Sequence, residues 1–233
     1  MNKKILRNLH RWLGLTFSLF VFLAAGSGVL HNIMSMTQKP PPKPGPSAAM
    51  KAEDFHVSPV RAAGILPPGT TLSAVSIREI AGEPWYQLYP SGKKEPVYVN
   101  ARSGEGDSSA DARHAAQIAS GHLRGLAVRK TDYLTELNAE YISIFRILPV
   151  YRFDVDDGKG TRVYVSTMTG SVTRTTDDWK QFEANVFSNF HKFAFIPDKE
   201  VRNWVLTFTT SAIALVALLG VYLFLLGSKN KNS

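Results

Sequence analysis

The sequence predicts an α+β membrane protein in which two transmembrane helices flank a soluble domain of helices and antiparallel sheet. Three observations predict it. An apolar run extends from Trp12 to Leu30, a second from Val205 to Gly227, and a polar stretch about the size of one domain lies between them. Each run approaches or exceeds the ~20 residues needed to cross ~30 Å of hydrocarbon. No charge interrupts Trp12 to Gln38 or Trp204 to Ser228, and both tryptophans stand where interfacial anchors belong.

The short flanks predict orientation. Lys3, Lys4, Arg7 and Arg11 precede the first span, and Lys229 and Lys231 follow the second. Positive flanks favour the cytoplasm, whereas a long middle domain translocates largely regardless of its charge. Both termini are therefore expected in the cytoplasm, with residues 35–200 on the opposite side. A cleavable signal peptide ending near Ala24, Ala25 and Gly26 is the competing reading. The apolar run continues past those residues to Leu30 and offers no A-x-A site. The second span anchors the chain in either case.

Residues 1–35 thus form the cytoplasmic N-terminus and first span. Residues 36–50 form a linker whose Lys39-Pro40-Pro41-Pro42-Lys43-Pro44-Gly45-Pro46 run favours an extended polyproline spacer. Residues 51–177 make the soluble domain and carry an internal repeat, about 51–106 and 107–177. Pro84-Trp85-Tyr86-Gln87-Leu88 aligns with Pro149-Val150-Tyr151-Arg152-Phe153, and Val97-Tyr98-Val99-Asn100 with Val163-Tyr164-Val165-Ser166. Each half reads as a short helix, 58–66 or 109–123, followed by a hairpin. The alternation of Val97 and Val99 with Tyr98 and Asn100 predicts a half-buried antiparallel sheet. Trp179, Phe182, Val186, Phe190 and Phe193 then fall on one stripe of an amphipathic helix over 178–198, expected in the membrane interface. Residues 199–233 complete the second span and a cytoplasmic tail.

Composition excludes several classes. The net charge of +8 is spread over flanks and scattered lysines with no dense basic stripe, which argues against a nucleic-acid partner. Without cysteine there are no disulfides, no thiolate-held zinc and no iron–sulfur cluster. Asp154, Asp156, Asp157 and Gly158 lack the distal glutamate of an EF-hand loop and read as a turn. No phosphate loop or dinucleotide fingerprint is present, so a nicotinamide or flavin has to belong to another protein, or the electron donor is a membrane quinol.

A family resemblance joins these features. Leu9-His10-Arg11-Trp12-Leu13-Gly14 resembles the opening of PepSY-associated transmembrane proteins. Arg162-Val163-Tyr164-Val165 with Thr169-Gly170 resembles the PepSY module, and Phe190-His191-Lys192-Phe193 is similar to the family's histidine motif ahead of a later helix. The family includes four-helix inner-membrane ferric-siderophore reductases that bind haem, and small two-span ferric reductases. The chain is similar to the small type and departs from the larger one in having no histidine inside the second span. The resemblance implies a bacterial inner membrane, a periplasmic tandem PepSY-like domain and haem b, one or two per dimer.

The histidines are the expected metal ligands. His31 follows the first apolar run and His191 precedes the second. Two neutral imidazoles on one iron make a six-coordinate electron-transfer centre. Ala24, Ala25, Gly26, Ser27 and Gly28, below His31, admit a flat macrocycle close to the backbone, or equally a second helix. Phe187 and Phe190 are candidate walls of the porphyrin, and Lys192 and Arg202 candidate partners of its propionates. His10, with Arg11 beside it, is a candidate for a second haem. It lies 21 residues before His31, about 32 Å along a helix at ~1.5 Å per residue. Two spans leave a porphyrin open to lipid and four enclose it, so a homodimer is expected. An interfacial histidine is also often only a polar anchor. His56, His114 and His122 are expected to be ordinary solvated residues.

Together these readings favour a ferric or ferric-siderophore reductase that carries electrons outward, with ferric iron or a ferric chelate as acceptor. Trp85, Tyr86, Lys93 and Lys94 are candidates to face that acceptor. The alternatives are a non-enzymatic, membrane-tethered PepSY module that binds a peptide or protease, and a subunit of a larger transporter.

Overall fold

The structure is a computed structural model that describes residues 3–37, 49–142, 145 and 147–229. Its helices are α1 (Lys3–Thr37), α2 (Pro59–Ala63), α3 (Ala110–His122), α4 (Asp178–Lys192) and α5 (Lys199–Lys229). Its strands are β1 (Leu72–Ile80), β2 (Glu83–Pro90), β3 (Val97–Asn100), β4 (Val128–Leu134), β5 (Val150–Val155), β6 (Arg162–Ser166) and β7 (Ser171–Thr176). The chain forms two compact units, residues 40–178 and residues 1–39 with 179–233. The proline-rich run 39–46 lies outside the described residues.

In the soluble unit the repeat appears as identical strand register. Tyr86 pairs with Val99 and Gln87 with Tyr98 in a three-stranded sheet, β1-β2-β3. Tyr151 pairs with Val165 and Arg152 with Tyr164 in a four-stranded sheet, β4-β5-β6-β7. Both sheets are antiparallel throughout. The α2 residue Ala62 packs on Tyr86, Leu88 and Val99, and the α3 residues Ala115 and Ala119 pack on Tyr151, Phe153, Val163 and Val165. Alanines at these positions let each helix sit close to its sheet.

The structure adds β1, β4 and β7 to the two expected hairpins. β4 is a charged edge strand in which Arg129, Lys130, Thr131 and Asp132 are exposed, a composition that blocks pairing with other chains and hides the strand from a hydrophobic pattern. α2 is shorter than the expected 58–66. Ser58 caps it by accepting from the Arg61 amide, and the chain then turns toward Pro67 and Pro68. α3 ends where Arg124 and Gly125 take positive φ and the Gly125 amide bonds the Ser120 carbonyl.

In the other unit α1 and α5 run antiparallel. The Lys3 ammonium donates to the Leu226 carbonyl, Gly14 lies against Val216, and Phe17 lies 6.5 Å from Phe208. Both helices are long and apolar enough to cross a membrane, and side chains such as Leu15, Phe22, Phe208 and Leu218 are exposed along them. Apolar surface on that scale fits a membrane-embedded pair of helices. α4 ends at Phe193, whose φ of 52° breaks the helix and whose buried ring meets Phe20 at 5.8 Å. Asp198 then caps α5 by accepting from the Val201 amide at 2.8 Å.

Candidate functional site

α4 presents Glu183, Phe187 and His191 at i, i+4 and i+8, one face of a helix. That face packs along α1. Glu183 is buried and its carboxylate meets His31 Nδ1 at 2.7 Å, while the imidazole itself stays half exposed. His31 lies 4.8 Å from the Phe187 ring, centroid to centroid, and Phe187 stacks on His191 at 4.6 Å with a 13° interplanar angle. The two imidazoles therefore flank one phenyl ring, and their centroids lie at most 9.4 Å apart. His191 Nδ1 reaches the Ala24 carbonyl at 3.3 Å. Ala24 is seven residues below His31, about 10 Å along the α1 axis at ~1.5 Å per residue.

Both histidines are thus anchored at Nδ1, His31 by a carboxylate and His191 by a peptide carbonyl. In each the Nε2 lone pair is left for a metal or a hydrogen-bond donor, the arrangement in which ligating histidines are commonly oriented. The Lys192 ammonium sits 5.3 Å over the Phe187 ring, and the Arg202 guanidinium donates to the Ile196 carbonyl beyond α4. Gly26 and Gly28, one to two turns below His31, have no neighbour within 4 Å of where a Cβ would stand, so contact with α4 or α5 does not explain them.

His10 lies apart from this cluster. Its ring fills the space beside Gly220 of α5, where a Cβ would fall 3.0 Å from Cε1, and its Nδ1 is buried without a hydrogen-bond partner. Arg11 turns onto the neighbouring Trp12 ring at 5.8 Å.

The soluble unit carries a separate polar network that corrects two expectations. His114 is buried rather than solvated, because α3 turns it toward β3, where Nδ1 meets the Tyr98 hydroxyl at 3.0 Å. Tyr98 and Tyr151 each donate to one oxygen of Asp111 at 2.9 Å, and the Gln87 amide donates to Tyr98. With the Tyr98 proton on Asp111, His114 holds its own proton on Nδ1 and donates it to the phenol oxygen. Burial pushes the His114 pKa down to about 4 and raises those of Tyr98 and Tyr151 far above the usual phenol range. His122 is likewise engaged, with Nε2 3.1 Å from the Thr175 hydroxyl. Trp85 and Tyr86 belong to the core and do not face an acceptor, whereas Lys93 and Lys94 are exposed. The Asp157 carboxylate accepts from the Lys159 and Thr161 amides and the Thr161 hydroxyl, which closes the acidic turn without an ion. Among the described residues no group of three or more histidine, aspartate or glutamate side chains is placed to hold a metal ion.

Glu183 is the site residue that sequence reasoning missed, although its i, i+4 relation to Phe187 and His191 was visible. Comparison with known proteins bears on the whole arrangement. No curated protein matches the chain, and no solved structure does. The family model for the PepSY-associated TM region matches residues 7–232, from just before His10 to the far end of α5, and so takes in both histidine positions and the soluble unit. The chain belongs to the PepSY-associated transmembrane family.

Proposed function

We propose that the chain is an inner-membrane haem b oxidoreductase that passes electrons to the periplasmic side and there reduces ferric iron or a ferric chelate. One observation carries the reading: two imidazoles, each tethered through Nδ1 with Nε2 uncommitted, flank one aromatic ring beside a glycine-lined stretch of α1. The donor set fits haem, since neutral imidazole nitrogens are the axial ligands of low-spin electron-transfer centres. Bound there, haem would supply a one-electron relay.

His31 and His191 would hold the iron. Phe187 now fills the gap between them, so its ring has to turn aside for both Nε2 atoms of one chain to share an iron. Gly26 and Gly28 leave the α1 backbone open to a flat ring, and Lys192 and Arg202 stand near enough in sequence to His191 to meet propionates. His10, whose buried Nδ1 has no hydrogen-bond partner, is the candidate for a second haem, with Arg11 beside it. A homodimer would supply four helices to shield the group from lipid and would cover the exposed apolar faces of α1 and α5. The electron donor would be a membrane quinol or a separate reductase. Reduction favours release, because oxygen-rich chelators hold hard Fe(III) better than Fe(II).

Colour tests the proposal. The purified full-length chain, supplied with haem, should show a Soret band and split α/β bands on dithionite reduction. His31→Ala and His191→Ala should each abolish them, while His56→Ala keeps them. A full spectrum retained in both ligand variants overturns the assignment. A colourless wild type favours the tethered binding module instead.

A further inference from the structure

The two imidazoles are anchored unequally, and that difference has a chemical consequence. His191 Nδ1 meets a neutral carbonyl at 3.3 Å, a long contact, whereas His31 Nδ1 meets a carboxylate at 2.7 Å. Glu183 is buried while the imidazole it holds is half exposed, so the carboxylate is the fixed partner and the ring is the guest. Its place is set twice more along α4. Phe187, one turn on, packs against the same imidazole, and His191, two turns on, ties the helix to the α1 backbone. A carboxylate can only accept, so the His31 proton belongs on Nδ1. The geometry points to Glu183 as a positioning residue that locks His31 in the Nδ1–H form, leaves its Nε2 lone pair free, and makes it the more electron-rich of the two imidazoles.

This inference deepens the haem proposal and rests on it for its redox consequence, but its structural half does not need haem. A carboxylate bonded to the distal nitrogen of a ligating imidazole raises the basicity of the other nitrogen, and loss of such a partner typically weakens metal binding ~10–100-fold. Electron density pushed toward iron favours its oxidised state. With the carboxylate present, a haem held by His31 is therefore a stronger reductant toward ferric acceptors than it would be with a neutral partner.

Two measurements on the full chain in detergent decide the matter. In haem-free protein labelled with nitrogen-15 in histidine, the His31 signals, assigned by their loss in His31→Gln, should show the proton on Nδ1. Glu183→Gln should release that preference. A His31 proton on Nε2 in the wild type overturns the inference. In haem-loaded protein, Glu183→Gln should raise the midpoint potential and loosen haem retention by ~10–100-fold. Glu200→Gln, on the first turn of α5, should change neither. An unchanged potential and retention in Glu183→Gln overturns the inference and leaves the haem proposal standing. A wild type that takes up no haem defeats the haem proposal, and the nitrogen-15 result still decides whether Glu183 sets the His31 proton.

Discussion

Acidification should weaken the soluble unit mainly through one buried imidazole, His114, with the partly buried His122, whose pKa burial also lowers, adding to the effect. In the fold its pKa is pushed down to about 4, mainly by desolvation, with the Arg78 charge adding to the effect and Asp111 and Glu79 opposing it. In the unfolded chain it returns to the ordinary value of 6.5. Between those values the unfolded chain binds a proton that the fold refuses, so stability is complete above pH 6.5 and falls as pH drops toward 4. At about 1.4 kcal/mol per pKa unit, the whole window is worth about 3 kcal/mol. The burial that causes the shift is real: His114 is 6% exposed and sits under the Tyr98 hydroxyl. The carboxylate of Asp107, held down to about 2 by Ser109 and Arg113, titrates below this window and does not blur it. Urea titrations of the full chain in detergent, followed by the strand signal in circular dichroism, should show the midpoint falling steadily from about pH 7 to pH 4.5. His114→Gln keeps a donor for Tyr98 but cannot titrate, and should make that dependence markedly shallower, leaving the share of His122. Equal slopes in wild type and His114→Gln would refute the reasoning.

Four further perturbations follow from the same contacts. Asp111→Ala removes the acceptor of two phenol hydroxyls, Tyr98 and Tyr151, and should cost about 3 kcal/mol in the same urea assay. Arg162→Met removes the cation shared by Glu140 at 2.9 Å and Asp178 at 2.5 Å; with Asp178 mostly exposed, the loss should be about 2 kcal/mol. Gly220→Ala places a Cβ 3.0 Å from His10 Cε1 and should lower thermal stability in detergent by roughly 1–3 kcal/mol. His10→Ala should relieve most of that loss, and additive effects in the double variant would place His10 elsewhere. Phe187→Ala empties the gap between His31 and His191, so it should keep or increase haem retention, in contrast to both histidine variants; loss of pigment would make the phenyl ring part of the site rather than its gate.

The soluble unit was legible where its residues repeat. Tyr86-Gln87-Leu88 and Tyr151-Arg152-Phe153 occupy equivalent register positions because both hairpins must present the same alternate side chains to a helix. The outer strands were not legible. β4 lies at a sheet edge, where burial does not enforce alternation, and charge replaces apolar residues. His114 and Trp85 were misjudged for a related reason: composition says nothing of which way a helix face or a strand face points until the partner sheet is known. The α3 face that carries His114 turned out to meet β3 as well as the second sheet, since Ala110 packs with Tyr98, Trp85 and Ile80.

The site was half legible, and the missing half follows from inverting the usual rule for amphipathic helices. In water the apolar stripe of a helix packs inward, so Trp179, Phe182, Val186, Phe190 and Phe193 draw the eye. At a membrane the solvent is itself apolar, and such a stripe can face outward at no cost. Trp179, Phe182 and Phe190 are exposed, whereas the mixed face carrying Glu183, Phe187 and His191 is the one that touches α1. A carboxylate next to hydrocarbon is expensive unless it finds a partner, and the partner available to Glu183 is His31. His31 is thus the partner that offsets the cost of burying Glu183 against α1. If His31 served only as a polar anchor, glutamine at position 183 would satisfy it equally well. Under the proposed haem reading, a carboxylate rather than a neutral amide at position 183 would make the free nitrogen of that imidazole the stronger electron-pair donor.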